Sequence, residues 1–388
     1  MEKVIINPKR MEWCLESLGI DIPILSEDLK IGQKTLKTAM EGEPAFTMKQ
    51  LGKVAKYFNK SMLFFINQRE VEEEKILSPQ FRTINNKRPL HSRKLRKLVE
   101  IVENHRNIYL ELLKDLEERY KDDWYPYDLE LDTGDLEITA ERIRSWLNIP
   151  EEINFKELRK LVESKEIIVI VSNGFNGVWQ IDKRSPVRGF SLYFDSLPVI
   201  VIKKQTDGAQ AFTLFHELAH LLLHKNSVMD YEEDYQSNTG LEKEANELTG
   251  NILIPYSYLL KIDTGLLITM ESNEIDDYLD EYSRKWCVSN EAILVRLIQN
   301  KEIEYPFYSA YRNFKEYLFR RSLENTQQQS IPRTYRHREP LNIFGKSYVM
   351  TVLEAFHNQH ITLAKASSFL DNLKIKDVHK LEKYVIQL

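Results

Sequence analysis

Over residues 1–70, Trp13, Leu15, Leu18, Leu25, Leu29, Leu36, Leu51, Val54, Ala55 and Phe58 recur at the spacing of several short helices folding on one compact core. Residues 71–134 change character. A basic stretch from Phe81-Arg82-Thr83 to Lys97 runs into a helix striped by Leu95, Leu98, Val99, Val102, Ile108 and Leu112. Residues 135–265 mix two periods. Glu141–Leu147 and Phe155–Ser164 read as helices, the first stopping before Pro150. Ile167–Val171 is a nearly unbroken β-branched run, the sequence of a buried strand. Gly189–Phe194 and Pro198–Ile202 predict two more strands joined at Asp195-Ser196, and Ala209–His224 and Leu241–Leu253 predict helices. Residues 266–388 are again mostly helical, interrupted by the Gln-rich, basic stretch Glu324–Pro340, a linker or exposed loop. The expected fold class is α+β, with an all-α amino-terminal domain, a central domain holding a small sheet, and a helical carboxy-terminal region.

A chain of 388 residues can hold two or three domains. Its 42% hydrophobic and 29% charged residues exclude wholesale disorder. Cys14 and Cys287 lie too far apart in sequence to suggest a disulfide framework or a paired-cysteine metal site. No apolar run approaches the ~18 residues of a membrane span, and Met1–Arg10 lacks the apolar core of a signal peptide. A cytoplasmic location and no membrane partner are therefore expected. The net charge of −5 provides no global field for nucleic acid, so any DNA contact must be local. Between 80 and 106, eight Lys or Arg face two Glu, a run whose ordinary meaning is a solvated helix face.

The chemistry concentrates in Phe212-Thr213-Leu214-Phe215-His216-Glu217-Leu218-Ala219-His220-Leu221-Leu222-Leu223-His224. Four residues apart on a helix, His216 and His220 can direct both imidazoles at one zinc ion. Glu217 can then take a proton from water activated there. The apolar flanks bury this helix, where two histidines and a glutamate without partners would be costly. Hydrogen-bonded core histidines are the ordinary alternative. Three residues compete as third ligand. Glu244 shares a face with Leu241 and Leu248, the side expected to pack on the histidine helix, and is preferred. Glu242 and His224 are the others, although His224 lies near the helix end.

The strand Pro198–Ile202, the segment 212–224, Glu242-Lys243-Glu244-Ala245-Asn246-Glu247-Leu248-Thr249 and Ile252-Leu253-Ile254-Pro255 together resemble the ImmA/IrrE metallopeptidase family, over roughly residues 135–265. The resemblance implies a zincin-like domain with His216, His220 and Glu244 binding zinc and Glu217 as general base. Arg188-Gly189 and the strands after it imply an edge that holds an extended peptide by strand addition. Leu248-Thr249-Gly250-Asn251 departs from the family's pattern of an aromatic and small alanines, which bears on packing. Tyr231, Tyr235 and His224 are candidates for stabilising an oxyanion.

Residues 1–70 resemble an Xre-type helix-turn-helix domain. Ile24–Leu29 would be its first helix, Lys30-Ile31-Gly32 the turn and Gln33–Met40 the recognition helix, offering Gln33, Lys34, Thr35 and Lys37 to the major groove. Eleven basic against nine acidic residues leave this block barely positive, so firm binding to double-stranded DNA would need a homodimer on a two-fold operator. The resemblances imply four domains: helix-turn-helix (1–70), basic helical linker (71–134), metallopeptidase (135–265) and helical region (266–388). They imply a regulatory protease cutting a specific protein, a DNA-binding repressor by analogy, in stress response or mobile-element control. The competing expectation is a DNA-binding regulator or antitoxin-like protein whose zinc domain is a binding module.

Overall fold

The computed structural model describes residues 3–18, 20–58, 60–69, 93–118, 120–175, 177–182, 185–231, 240–325 and 335–387. Phe81-Arg82-Thr83, Tyr235 and much of the stretch Glu324–Pro340 lie outside the described residues. Tertiary contacts divide the chain into two units, Met1–Glu100 and Ile101–Leu388, with the boundary inside the helix Arg93–Asp115. Among the described residues no helix is long and apolar enough to cross a membrane.

The first unit contains α1 (Pro8–Leu18), α2 (Ile22–Leu29), α3 (Gln33–Met40), α4 (Met48–Phe58) and α5 (Met62–Ile66). Asp21 caps α2 by accepting from the Ile24 amide at 3.0 Å, leaving one fewer orphan donor at the helix start. Lys30, left-handed at φ 54°, ends it, and α3 starts three residues later. Trp13, Leu15, Leu25, Leu36, Leu51, Val54, Ala55 and Phe58 are buried together, with Leu29 half-buried against them.

The second unit is mixed α+β and mostly helical, around one four-stranded sheet. Its strands β1 (Ile168–Val171), β2 (Val187–Leu192), β3 (Val199–Ile202) and β4 (Val228–Tyr231) lie in the order β1-β3-β2-β4. β1 and β3 pair in parallel, and β2 runs antiparallel to both β3 and β4. All four residues of β1 and of β3 are buried, which their unbroken Ile/Val sequences require. The helix Leu136–Leu147 starts earlier than its apolar pattern suggests, because Asp135 caps it through the amides of Glu137 and Ile138. Asn154 and Glu157 form a reciprocal capping box at the start of Phe155–Glu163. The helix Asp207–Ala219 lies against β2 and β3, and the helix Gly240–Leu253 packs on it. Gly250 falls where a Cβ would stand 2.9 Å from Arg296 Cδ, so its small size admits the arginine stem that reaches the Ile254 carbonyl.

Candidate metal centre

From Gln210 through Ala219 all but one side chain of the helix Asp207–Ala219 are buried, so each polar group there must find a partner inside. At His220 the backbone widens into a π-helical turn, His220–His224, that ends on left-handed Lys225 (φ 46°). The Tyr125 hydroxyl donates to the Leu222 carbonyl at 2.8 Å and pins this turn. The chain then reverses into β4, whose Asp230 lies opposite Gly189 of β2.

His216 Nε2 and His220 Nε2 are 3.1 Å apart. Asp230 Oδ2 lies 3.1 Å from the first and 3.6 Å from the second, and Glu242 Oε2 lies 3.3 Å from each. A tetrahedral ion with bonds near 2.0–2.1 Å has ligand-to-ligand edges of about 3.3–3.4 Å, so these spacings enclose room for one cation. His216, His220 and Asp230 are fully buried, while the Glu242 side chain is 24% exposed. Apart from the two imidazoles, neither oxygen of Asp230 nor Glu242 Oε2 meets a hydrogen-bond donor among the described residues. Buried carboxylates at this spacing from two imidazoles fit a cation, and the cluster can hold a metal ion.

The electrostatics agree. Burial opposes charge on His216, but the carboxylates of Asp230 and Glu242 outweigh it and raise the imidazole to about 9. Burial pushes the Asp230 and Glu242 carboxyls up, yet the two imidazoles hold both below the ordinary carboxylate range. The two carboxylates thus favour positive charge at this end of the cluster.

Glu217 is fully buried beside the cluster, with its Oε1 2.7 Å from where a Cβ of Gly189 would stand. Burial first, and the charge of Asp230 next, raise its carboxyl well above the ordinary range. Neither oxygen meets a donor within hydrogen-bonding geometry among the described residues. Such a carboxylate is placed to hold and release a proton.

The structure thus brings His216, Glu217 and His220 together. It sets Glu244 elsewhere: its Oε2 is 3.3 Å from His224 Nε2, and its side chain is 40% exposed. The carboxylate that lies 3.3 Å from both imidazoles is that of Glu242. His224 Nδ1 is 2.8 Å from His220 Nδ1, so His224 backs His220 on the side away from the cluster. Sequence reasoning missed Asp230. Its only sequence signal is an acidic residue in the short apolar run Val228–Tyr231, between the histidine helix and the next. Of the residues expected to face DNA, Gln33, Lys34 and Lys37 are exposed and Thr35 is half-buried on α3.

Residues 183–297 match the IrrE N-terminal-like domain, a peptidase family. The match runs from just before β2 through the histidine helix, β4 and the helix Gly240–Leu253 into the helix Asn290–Gln299. It supports the resemblance read from the motifs, and with it a zincin-like metallopeptidase fold for this segment. No curated protein and no solved structure matches the chain.

Proposed function

We propose that this chain is a zinc-dependent endopeptidase in which His216, His220 and Glu242 hold the metal and Glu217 is the general base. The observation carrying this is the near-tetrahedral spacing of those three donors beside a buried carboxylate of raised pKa. Zinc supplies Lewis acidity toward water and the scissile carbonyl. The rest falls to the chain's own groups. Glu217 takes the proton of the attacking water and passes it to the departing amine nitrogen as the carbon–nitrogen bond breaks. His216 and His220 must be neutral to ligate, so loading would release any proton held on either imidazole. By the family resemblance the substrate is a specific protein, a DNA-binding repressor, and the setting is stress response or mobile-element control inside the cytoplasm. In this reading Glu217→Gln keeps one zinc per chain and lowers peptide cleavage by about 10²–10⁴-fold, whereas His216→Ala loses the zinc itself. Metal analysis beside a cleavage assay measures both. Undiminished cleavage by Glu217→Gln would exclude it as the base.

A second reading adds DNA recognition through the first unit, acting as a helix-turn-helix module. Its support is that α3 buries Leu36 and Ala39 while Gln33, Lys34 and Lys37 point to solvent.

A further inference from the structure

Catalytic zinc sites keep three protein ligands and an open position, whereas structural sites close all four with protein. Four donors converge here. Asp230 Oδ2 completes a set with His216, His220 and Glu242 in which all ligand atoms lie within 4.8 Å of one another. A purely structural site gives no reason for Glu217, a fully buried carboxylate next to the same cluster. The two observations are reconciled if one of the four donors can leave.

We infer that Asp230 is a displaceable fourth ligand, so that β4 holds the centre closed and must leave β2 before substrate enters. This rests on the metallopeptidase reading. Asp230 is the donor that can go. His216 is held on the histidine helix, His220 on the π-helical turn that continues it and Glu242 on the packed helix Gly240–Leu253, whereas Asp230, though equally buried, sits on a short strand. β4 is four residues long and, among the described residues, lies at the edge of the sheet and pairs with β2 alone. That pairing is already irregular, its register shifting between Val187 and Gly189. Departure of β4 has two consequences at once. It frees the coordination position that water and the scissile carbonyl need, and it bares the hydrogen-bonding edge of β2 beside Glu217. An extended protein segment able to add to that edge is then the class of substrate that competes with β4 and opens the enzyme.

The test uses the full chain loaded with Co²⁺, whose visible spectrum reports the ligand set, titrated with acetohydroxamate as a small metal-binding probe. If about 1% of molecules are open, removing the closing ligand tightens probe binding by about 100-fold. Asp230→Ala and the near-isosteric Asp230→Asn are each expected to hold one Co²⁺, bind the probe that much more tightly, and hydrolyse casein faster than wild type. Equal probe affinity in wild type and both variants overturns the inference. So does loss of casein hydrolysis in both variants with Co²⁺ retained. Failure of the wild type to bind Co²⁺ at all, read before any probe is added, instead overturns the metal-centre reading beneath it.

Discussion

His224 stands between His220 and Glu244, its Nδ1 2.8 Å from the first and its Nε2 3.3 Å from the second. When His220 ligates through Nε2, its Nδ1 carries the hydrogen and donates to His224 Nδ1. That leaves His224 Nε2–H to donate to Glu244, and one tautomer is fixed along the row. Burial, and then the neighbouring His220, lower the His224 pKa, which keeps it neutral for this duty. Groups that orient a ligand in this way are worth about 10–100-fold in metal affinity. His224→Ala and Glu244→Ala are therefore expected to weaken zinc by that factor yet still saturate at one per chain, while Glu242→Ala fails to saturate. Competition against a chelator separates these outcomes, and a Glu244 variant as empty as the Glu242 variant would exchange their roles. The sequence could not choose between them. At 100° per residue, Glu242 and Glu244 flank opposite shoulders of the face formed by Ala245, Leu248, Thr249 and Ile252, all fully buried.

Among the elements, β2 and the histidine helix meet so closely that the strand can carry no side chain at the contact. A Cβ on Gly189 would stand 2.7 Å from Glu217 Oε1 and Thr213 Cγ2, and 2.9 Å from the Val201 carbonyl oxygen. The backbone carbonyl cannot step aside cheaply. Gly189→Ala is thus expected to cost about 1–3 kcal/mol of stability and to depress cleavage by shifting Glu217, with zinc retained. Thermal melts and metal content of the variant check this, and an unshifted melting temperature would show that β2 can slide. β1, β3 and the histidine helix were legible as elements because burial on nearly every side imposes long apolar runs, and the helix Gly240–Leu253 because Ala245, Leu248, Thr249 and Ile252 keep a helical spacing. β4 was not. Val228–Tyr231 is four residues with a charge inside it, and only its pairing with β2 makes it a strand.

At the scale of the whole molecule, each unit has its own core, so the first can be tested without reference to the second. If α3 reads DNA, Gln33 and Thr35 set sequence preference while Lys34 and Lys37 contact phosphates. Replacing either lysine should then weaken binding to all sequences and flatten the salt dependence by about one phosphate contact, an effect that fluorescence anisotropy over a salt series measures. Equal, negligible binding to the chain's own upstream region and to scrambled DNA at low salt would remove DNA from the reading and leave the metal centre untouched. Much of this protein is written locally. The i, i+4 histidines with Glu217 between them, the apolar helix that buries them and the caps Asp21, Asp135 and Asn154 depend on spacings of a few residues, which a sequence displays directly. The third and fourth donors do not. Glu242 and Asp230 reach the imidazoles from separate elements, 22 and 10 residues beyond His220. Which carboxylate arrives is decided by the rotation of one packed helix and the register of one edge strand, and both are set only when the second unit closes around its core.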